Sequence, residues 1–173
     1  MIQDMIKIDP SEITDNVIDL IGRQWMLVTS GDRNSFNMMT ASWGMIGVMW
    51  NLPVATCVIR PSRYTDNWVE QTMRYTLTFF DQRYKKILGI LGTKSGRDMD
   101  KMHDSGLTPL ELPSGDISYA EANLTLVCEV VYRKQYSADG FIDKSLLPKW
   151  YPEGLDNLHK MYIGHIVEAY AAD

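Results

Sequence analysis

Asn37-Met38-Met39-Thr40-Ala41-Ser42-Trp43-Gly44, followed by Arg60-Pro61-Ser62-Arg63-Tyr64-Thr65, decides how this chain is read. In the first stretch the polar side chains of Asn37, Thr40 and Ser42 interleave with apolar ones, as in a β-strand with a wet face. In the second, Arg60, Ser62, Arg63 and Thr65 stand on a loop that runs directly into a helix. A flat, partly polar ligand on the strand, with an anionic tail at the helix start, accounts for both. Helix N-termini offer unpaired N–H groups, and arginine forks match phosphate oxygens. The alternative is a solvated loop with a cap, and a strand whose Met38, Met39 and Trp43 are core.

Working outward, Trp25–Ser30 reads as a strand, residues 31–35 as its turn and about 36–46 as the partner strand, a β-hairpin. Residues 1–23 form an N-terminal flank, with a short helix or irregular edge segment around Ile13–Ile21. After the break at Asn51-Leu52-Pro53, Val54–Ile59 is a nearly continuous apolar run, expected to be covered on both faces. Thr65 is expected to cap a helix with an inward stripe of Trp68, Val69, Thr72 and Met73. Thr76–Phe80 is a further strand. Asp81 then caps a second helix carrying Tyr84, Ile87, Leu88 and Leu91 and ending at Gly92. Ser95-Gly96-Arg97-Asp98 has the pattern of a third helix start, closed by Ser105-Gly106. Strands return over 111–135, the longest being Leu124–Tyr132. A polar loop around 137–140 and a proline-punctuated stretch over 146–154 precede a last strand, Lys160–Tyr170. Six or so strands with inserted helices, and no regular βαβα alternation, predict a mainly β fold, an antiparallel barrel or sheet in one domain over 1–173.

Composition narrows the function. Hydrophobic residues make up 45% and charged residues 23% of the 173, ordinary values for a globular protein. A net charge of −5 argues against a nucleic-acid binder. No run approaches the roughly 18–20 apolar residues of a membrane span. Met1–Lys7 lacks a basic start followed by an apolar run, so no signal peptide and a cytoplasmic location are expected. Cys57 and Cys128 sit singly in apolar runs and are read as buried thiols. His103, His159 and His165 have no ligand spacing, and no metal site is expected.

The chain lacks a G-x-G-x-x-G after a strand and a G-x-x-x-x-G-K-[ST], which disfavours Rossmann and P-loop sites. No nucleophile setting or carboxylate pair stands out. What remains is the anion-binding pattern of the arginine loop and a second piece, Lys94-Ser95-Gly96-Arg97. Here Lys101 would lie one turn beyond Arg97 on the same helix face, and Gly96 would let a ligand approach the backbone. The competing reading of that piece is intrahelical pairing, Arg97 with Asp100 and Lys101 with Asp104.

Taken in order and spacing, Asn37–Trp43, Arg60–Thr65 and Ser95–Lys101 resemble the flavin reductase-like family with the FMN-binding split β-barrel, in particular its flavoredoxin-like branch. The resemblance covers about residues 20–170. It implies a homodimer of Greek-key-like antiparallel barrels, with FMN bound non-covalently near the subunit interface. Asn37, Thr40, Ala41, Ser42 and Trp43 then correspond to the wall beside the isoalloxazine. Arg60, Ser62, Arg63, Tyr64 and Thr65 correspond to the ribityl-phosphate loop, and Ser95, Gly96, Arg97 and Lys101 to a second phosphate and ring-edge contact. Tyr136, Trp150 and Tyr151 are candidates, by residue type, for an aromatic approach to the ring. His165 departs from the family pattern and is read as structural.

The resemblance implies an oxidoreductase in which NADH or NADPH gives hydride to bound FMN. The electrons then pass to free flavin, a ferric chelate or a redox partner. No protein acid, base or nucleophile is required, since the cofactor supplies the chemistry. The alternative is a non-catalytic flavin-binding electron carrier that does not accept nicotinamide hydride. A third reading is an interaction module whose motifs serve packing only.

Overall fold

In the computed structural model, which describes residues 5–173, β1 (Met5–Ile8) leads through α1 (Val17–Asp19) and a wider helical turn over Leu20–Gln24 into β2 (Met26–Asp32). Residues 1–4, on which part of the signal-peptide reading rests, lie outside the described residues. Next come β3 (Ser35–Ala41), β4 (Gly44–Met49), β5 (Leu52–Ile59), α2 (Tyr64–Thr72), β6 (Arg74–Phe80), α3 (Lys85–Thr93) and α4 (Lys101–Ser105). A small hairpin of β7 (Pro109–Glu111) and β8 (Ile117–Tyr119) precedes β9 (Ala122–Gln135), α5 (Leu146–Trp150) and β10 (Lys160–Ala172).

The fold is mainly antiparallel β, as expected. One eight-stranded sheet runs β3-β2-β6-β9-β10-β5-β4, with β1 also paired to β10. Among the described residues this path stays open, with no ladder joining β3 to β4. Alternation along the strands buries both faces. Met26, Val28, Met39, Tyr75, Leu77 and Phe79 point into one apolar cluster, where they meet residues of β5, β9 and β10. Leu27, Met38 and Phe80 point the other way, against Leu88 and Leu91 of α3 and the β8 side chains. Successive side chains on a strand face opposite sides, so a sheet covered on both faces needs such runs.

The sheet is strongly curled. β6 and β5 are separated by β9 and β10 in the ladder order, yet Tyr75 Oη donates to the Ala55 carbonyl at 2.7 Å. The hydroxyl passes Gly164 of β10, where a Cβ would lie 2.6 Å from both Cys128 Cβ and Tyr75 Oη. Cys57 and Cys128 are buried free thiols in this same interior, as read from the sequence.

Several local expectations need correction. The strand expected over about 36–46 is two strands, because the chain turns at Ser42-Trp43 and crosses from one end of the sheet order to the other. Gly44 permits the new pairing, since a Cβ there would strike the Thr56 carbonyl of β5. The β4–β5 hairpin then closes through Trp50 and Asn51, both in the left-handed region at φ 52° and 55°. Two such residues form the tight turn that matches strand twist.

Arg63, and not Thr65, is the N-cap residue of α2, and it makes no side-chain cap bond. Thr65 lies inside the helix and is buried with Asp66 and Val69, whereas Thr72 is exposed. Asp66 is turned inward because Lys160 Nζ and Tyr162 Oη meet it at 2.8 and 2.6 Å. Asp81 caps a short 3-10 turn ahead of α3, and α3 continues through Gly92 to Thr93. Gly92 serves contact instead, its missing Cβ leaving room for Thr40. Residues 95–99 are a turn. α4 begins at Lys101 behind Asp100, whose carboxylate accepts from His103 N.

Gly164→Ala is expected to lower stability by about 1–3 kcal/mol through overpacking between β9 and the Tyr75 hydroxyl. Urea denaturation measures it, and an unchanged midpoint would mean that the strands part without cost.

Candidate functional site

The ends of β3 and β5 and the start of β10 meet around a cavity of about 280 Å³. Met39, Thr40 and Ala41 of β3, followed by Ser42 and Trp43, form one wall, and Val58 of β5 adds to it. Arg60 and Arg63 enter from the loop ahead of α2, Trp150 from the end of α5, and His159 from the residue before β10. The aromatic groups brace one another. Trp43 meets Trp150 edge-on at 5.0 Å between ring centroids and lies 5.0 Å from the His159 ring. Arg60, Arg63 and Trp150 also line a larger, polar cavity of about 860 Å³ that adjoins the first and takes in Ser62 and Lys149. The two together form a trough, aromatic at one end and charged toward the other.

Charge in the trough is uneven: Arg60 and Arg63 face the smaller cavity, which no carboxylate of the described residues lines, while Glu153 and Asp156 join Arg60, Arg63 and Lys149 around the larger one. Arg63 Nη2 is buried with no hydrogen-bond partner among the described residues. Burial, and then the neighbouring Arg60, depress the Arg63 pKa. A half-buried guanidinium with one nitrogen sealed from water and no counter-charge is costly. Arg60 is partly engaged: Nη2 donates to the Trp150 carbonyl at 2.8 Å, and the guanidinium lies 4.8 Å over the Tyr151 ring. Asn157 fastens the same segment to the loop, its Oδ1 accepting from Ser62 N at 3.2 Å and its Nδ2 donating to Ser62 Oγ at 2.8 Å.

His159 was missed in the sequence, where only its lack of metal-ligand spacing was weighed. It is buried, and its Nδ1 lies 2.7 Å from Tyr151 Oη. Burial, then Arg60 and Arg63, lower its pKa to about 4, so the imidazole is neutral at pH 7. The signal available was its position at the start of the last strand, where β10 pairs with the end of β5 and brings it toward Arg60.

The remaining candidates divide. Thr40, Ala41, Ser42, Trp43, Arg60 and Arg63 line the smaller cavity, and Ser62 the larger. Asn37 lines neither. It is buried, with Nδ2 donating to Thr65 Oγ1 at 2.8 Å, so these two side chains tie β3 to α2. Gly96 packs against Asn37, where a Cβ would strike Oδ1. The glycine thus admits a protein side chain, not open space for a ligand. Ser95 Oγ accepts from Arg97 N at 3.2 Å, and Arg97 donates to the Ser62 carbonyl at 3.2 Å and stacks over Tyr64. Lys101 is buried, with Nζ donating to the carbonyls of Met38 at 2.7 Å and Leu91 at 3.0 Å. Arg97 and Lys101 therefore do not share a helix face, and among the described residues neither makes the intrahelical ion pair considered above. Of the C-terminal aromatics, Trp150 reaches both cavities and Tyr151 the larger one, while Tyr136 packs on Phe141 beside a separate cavity. His165, in β10 opposite Glu129 and Val54, lines neither cavity of the trough.

The family model described as flavin reductase like domain matches residues 18–173. The chain belongs to this family. Flavin reductase-like proteins of known structure share its fold. The FMN-binding domain of a flavin reductases-like enzyme from Shewanella baltica OS155 superposes with a TM-score of 0.71 at 15% identity, over 99% of this chain and 79% of the other. Flavoredoxin from Methanosarcina acetivorans gives 0.67 at 19% identity, over 98% and 76%. Nitrilotriacetate monooxygenase component B from Bacillus cereus gives 0.68 at 18%, over 98% and 83%. At such identities the likeness establishes the fold, that of FMN-binding split-barrel proteins. No curated protein matches the sequence.

Two expectations follow for this flavin reductase-like domain. Lys101→Ala should cost about 3 kcal/mol of stability, since it leaves two buried carbonyls without their charged donor. Chemical denaturation measures this. The neutral His159 also sets a sign: below the ordinary imidazole pKa near 6.5 the unfolded chain takes up a proton that the folded form refuses until about pH 4. Stability is therefore lost as pH falls through that window, and His159→Gln should show a shallower loss when denaturation midpoints at neutral and acid pH are compared.

Proposed function

We propose that this domain is an oxidoreductase that binds FMN non-covalently in the trough, receives hydride from NADH or NADPH and passes electrons to free flavin, a ferric chelate or a redox partner. The observation that carries the reading is the buried, unpartnered Arg63 Nη2 beside Arg60, a position that lacks only an anion. A phosphate oxygen there would satisfy the donor and relieve the repulsion between the arginines. The rest of the trough fits the same ligand. Thr40, Ala41, Ser42 and Trp43 offer a wall, Trp150 meets Trp43 edge-on beside it, and His159 presents an uncharged polar edge. Arg60, Arg63 and Ser62 would hold the phosphate. When bound, FMN supplies the hydride and electron chemistry, and the protein supplies orientation and field. Lys101 adds positive charge from behind β3 without reaching the trough.

A homodimer belongs to the same proposal. β4 is a terminal strand of the sheet path, and Met45, Val48, Met49 and Trp50 on it and its turn are exposed. A second apolar cavity, lined by Ile18, Ile21 and Met45, lies against Trp43 and Ser42, residues that also line the trough. A second copy covering this face would bury an apolar edge and reach the flavin wall from behind. Among the described residues no helix is long and apolar enough to cross a membrane, and we place the protein in the cytoplasm.

The absorption spectrum of protein supplemented with FMN and desalted, then treated anaerobically with NADH and NADPH, tests the reading. Flavin bands that survive desalting and bleach with nicotinamide are expected. Bands that persist without bleaching would favour the electron carrier, a reading to which the likeness to a flavoredoxin lends weight. A protein that retains no flavin would sink both. Arg63→Ala is expected to weaken FMN binding about tenfold or more, the scale of a charge-assisted bond to phosphate. Fluorescence titration reads it, and an unchanged dissociation constant would overturn the assignment.

A further inference from the structure

Tyr151 lines only the larger cavity, yet it governs a group in the smaller one. Its side chain is buried, and Oη lies 2.7 Å from His159 Nδ1, with the rings edge-on at 5.5 Å. The Tyr151 ring is held in place by the Arg60 guanidinium 4.8 Å above it and by Phe141 at 6.2 Å. The charged groups acting on His159 are Arg60 and Arg63, both positive, while the adjacent Lys160 is directed to Asp66 and Glu70. Tyr136, the other tyrosine near Tyr151, is uncharged at neutral pH, and burial raises its pKa further. A second proton on the imidazole would thus face two cations with no carboxylate to offset them.

One proton remains to be placed on the ring. If Nδ1 carried it, the Tyr151 hydroxyl would accept, and its own hydrogen would have no acceptor among the described residues. With Nδ1 bare, the buried hydroxyl donates to it, and the one hydrogen left without a protein acceptor moves to the ring nitrogen, where the cavity can meet it. The hydrogen then sits on Nε2, which makes no hydrogen bond within the described residues, on a ring that lines the smaller cavity. We infer that Tyr151 is a positioning residue: by donating to Nδ1 it fixes His159 as the Nε2–H tautomer and gives the trough a neutral hydrogen-bond donor for a ring carbonyl of the bound ligand. The identity of that ligand rests on the FMN reading; the tautomer does not.

Nitrogen-15 NMR of histidine-labelled, FMN-free protein at neutral pH tests the first half. One of the three imidazoles should show a fixed Nε2–H pattern in the wild type and a mixed one in Tyr151→Phe, which keeps the ring and its stacking. FMN titration tests the second. Tyr151→Phe should weaken binding about three- to tenfold, the value of one hydrogen bond. In a His159→Gln background, where the donor has no tautomer to choose, it should add nothing. An Nδ1–H pattern in the wild type, or an equal cost of Tyr151→Phe in both backgrounds, would overturn the inference. If the wild type shows the fixed pattern yet binds no FMN, the positioning role stands and the FMN reading falls.

Discussion

The reach of the Tyr75 hydroxyl across the interior to the Ala55 carbonyl is the contact on which the architecture turns. It joins strands that the ladder order keeps apart, and so holds the sheet in its curl. The demand it makes is met by Gly164, whose missing side chain leaves the hydroxyl a path between Cys128 and β10. The end of β5 and the start of β10 are already paired in the ladder, and the curl brings the end of β3, from the far side of the sheet order, to meet them. The arginine loop, Trp43 and His159 then converge although they are distant in sequence.

The way this protein treats its other shielded cations sets Arg63 apart. Lys160 is met by Asp66 and Glu70, and Arg74 by Asp116 and Glu129. Even Lys101, which has no carboxylate, spends its protons on two main-chain carbonyls. Arg63 alone among these has a buried nitrogen with nothing to donate to. A chain that pairs Lys160 and Arg74 so thoroughly makes the unpaired Arg63 stand out, and that contrast is what supports the proposed anion site.

Much of this was legible in the sequence, for reasons that differ by element. Continuous apolar runs such as Val54–Ile59 revealed doubly covered strands because burial on both faces leaves little room for polar side chains. The arginine loop was visible because so dense a set of donors ahead of a helix has few structural uses. The contacts of Asn37, Thr65 and Gly96 with one another were not legible, because groups that bind a ligand and groups that bind each other look alike along a chain. The shared face expected for Arg97 and Lys101 failed for a local reason: they stand four residues apart, but Asp100 captured the helix start and left Arg97 outside it. His159 went unseen because nothing in its neighbours announces that Arg60, Arg63 and Tyr151 surround it. Tertiary contact, not local pattern, brought it to the trough.

The unpaired Arg63 bears on the life of the protein as well as on its chemistry. A buried charge without a partner weakens the folded chain, and a ligand that binds only the folded form restores that loss by mass action. The empty molecule is therefore the one that opens more often and meets proteases first. If the proposed anion binds there, its supply would help to set how long each newly made chain survives.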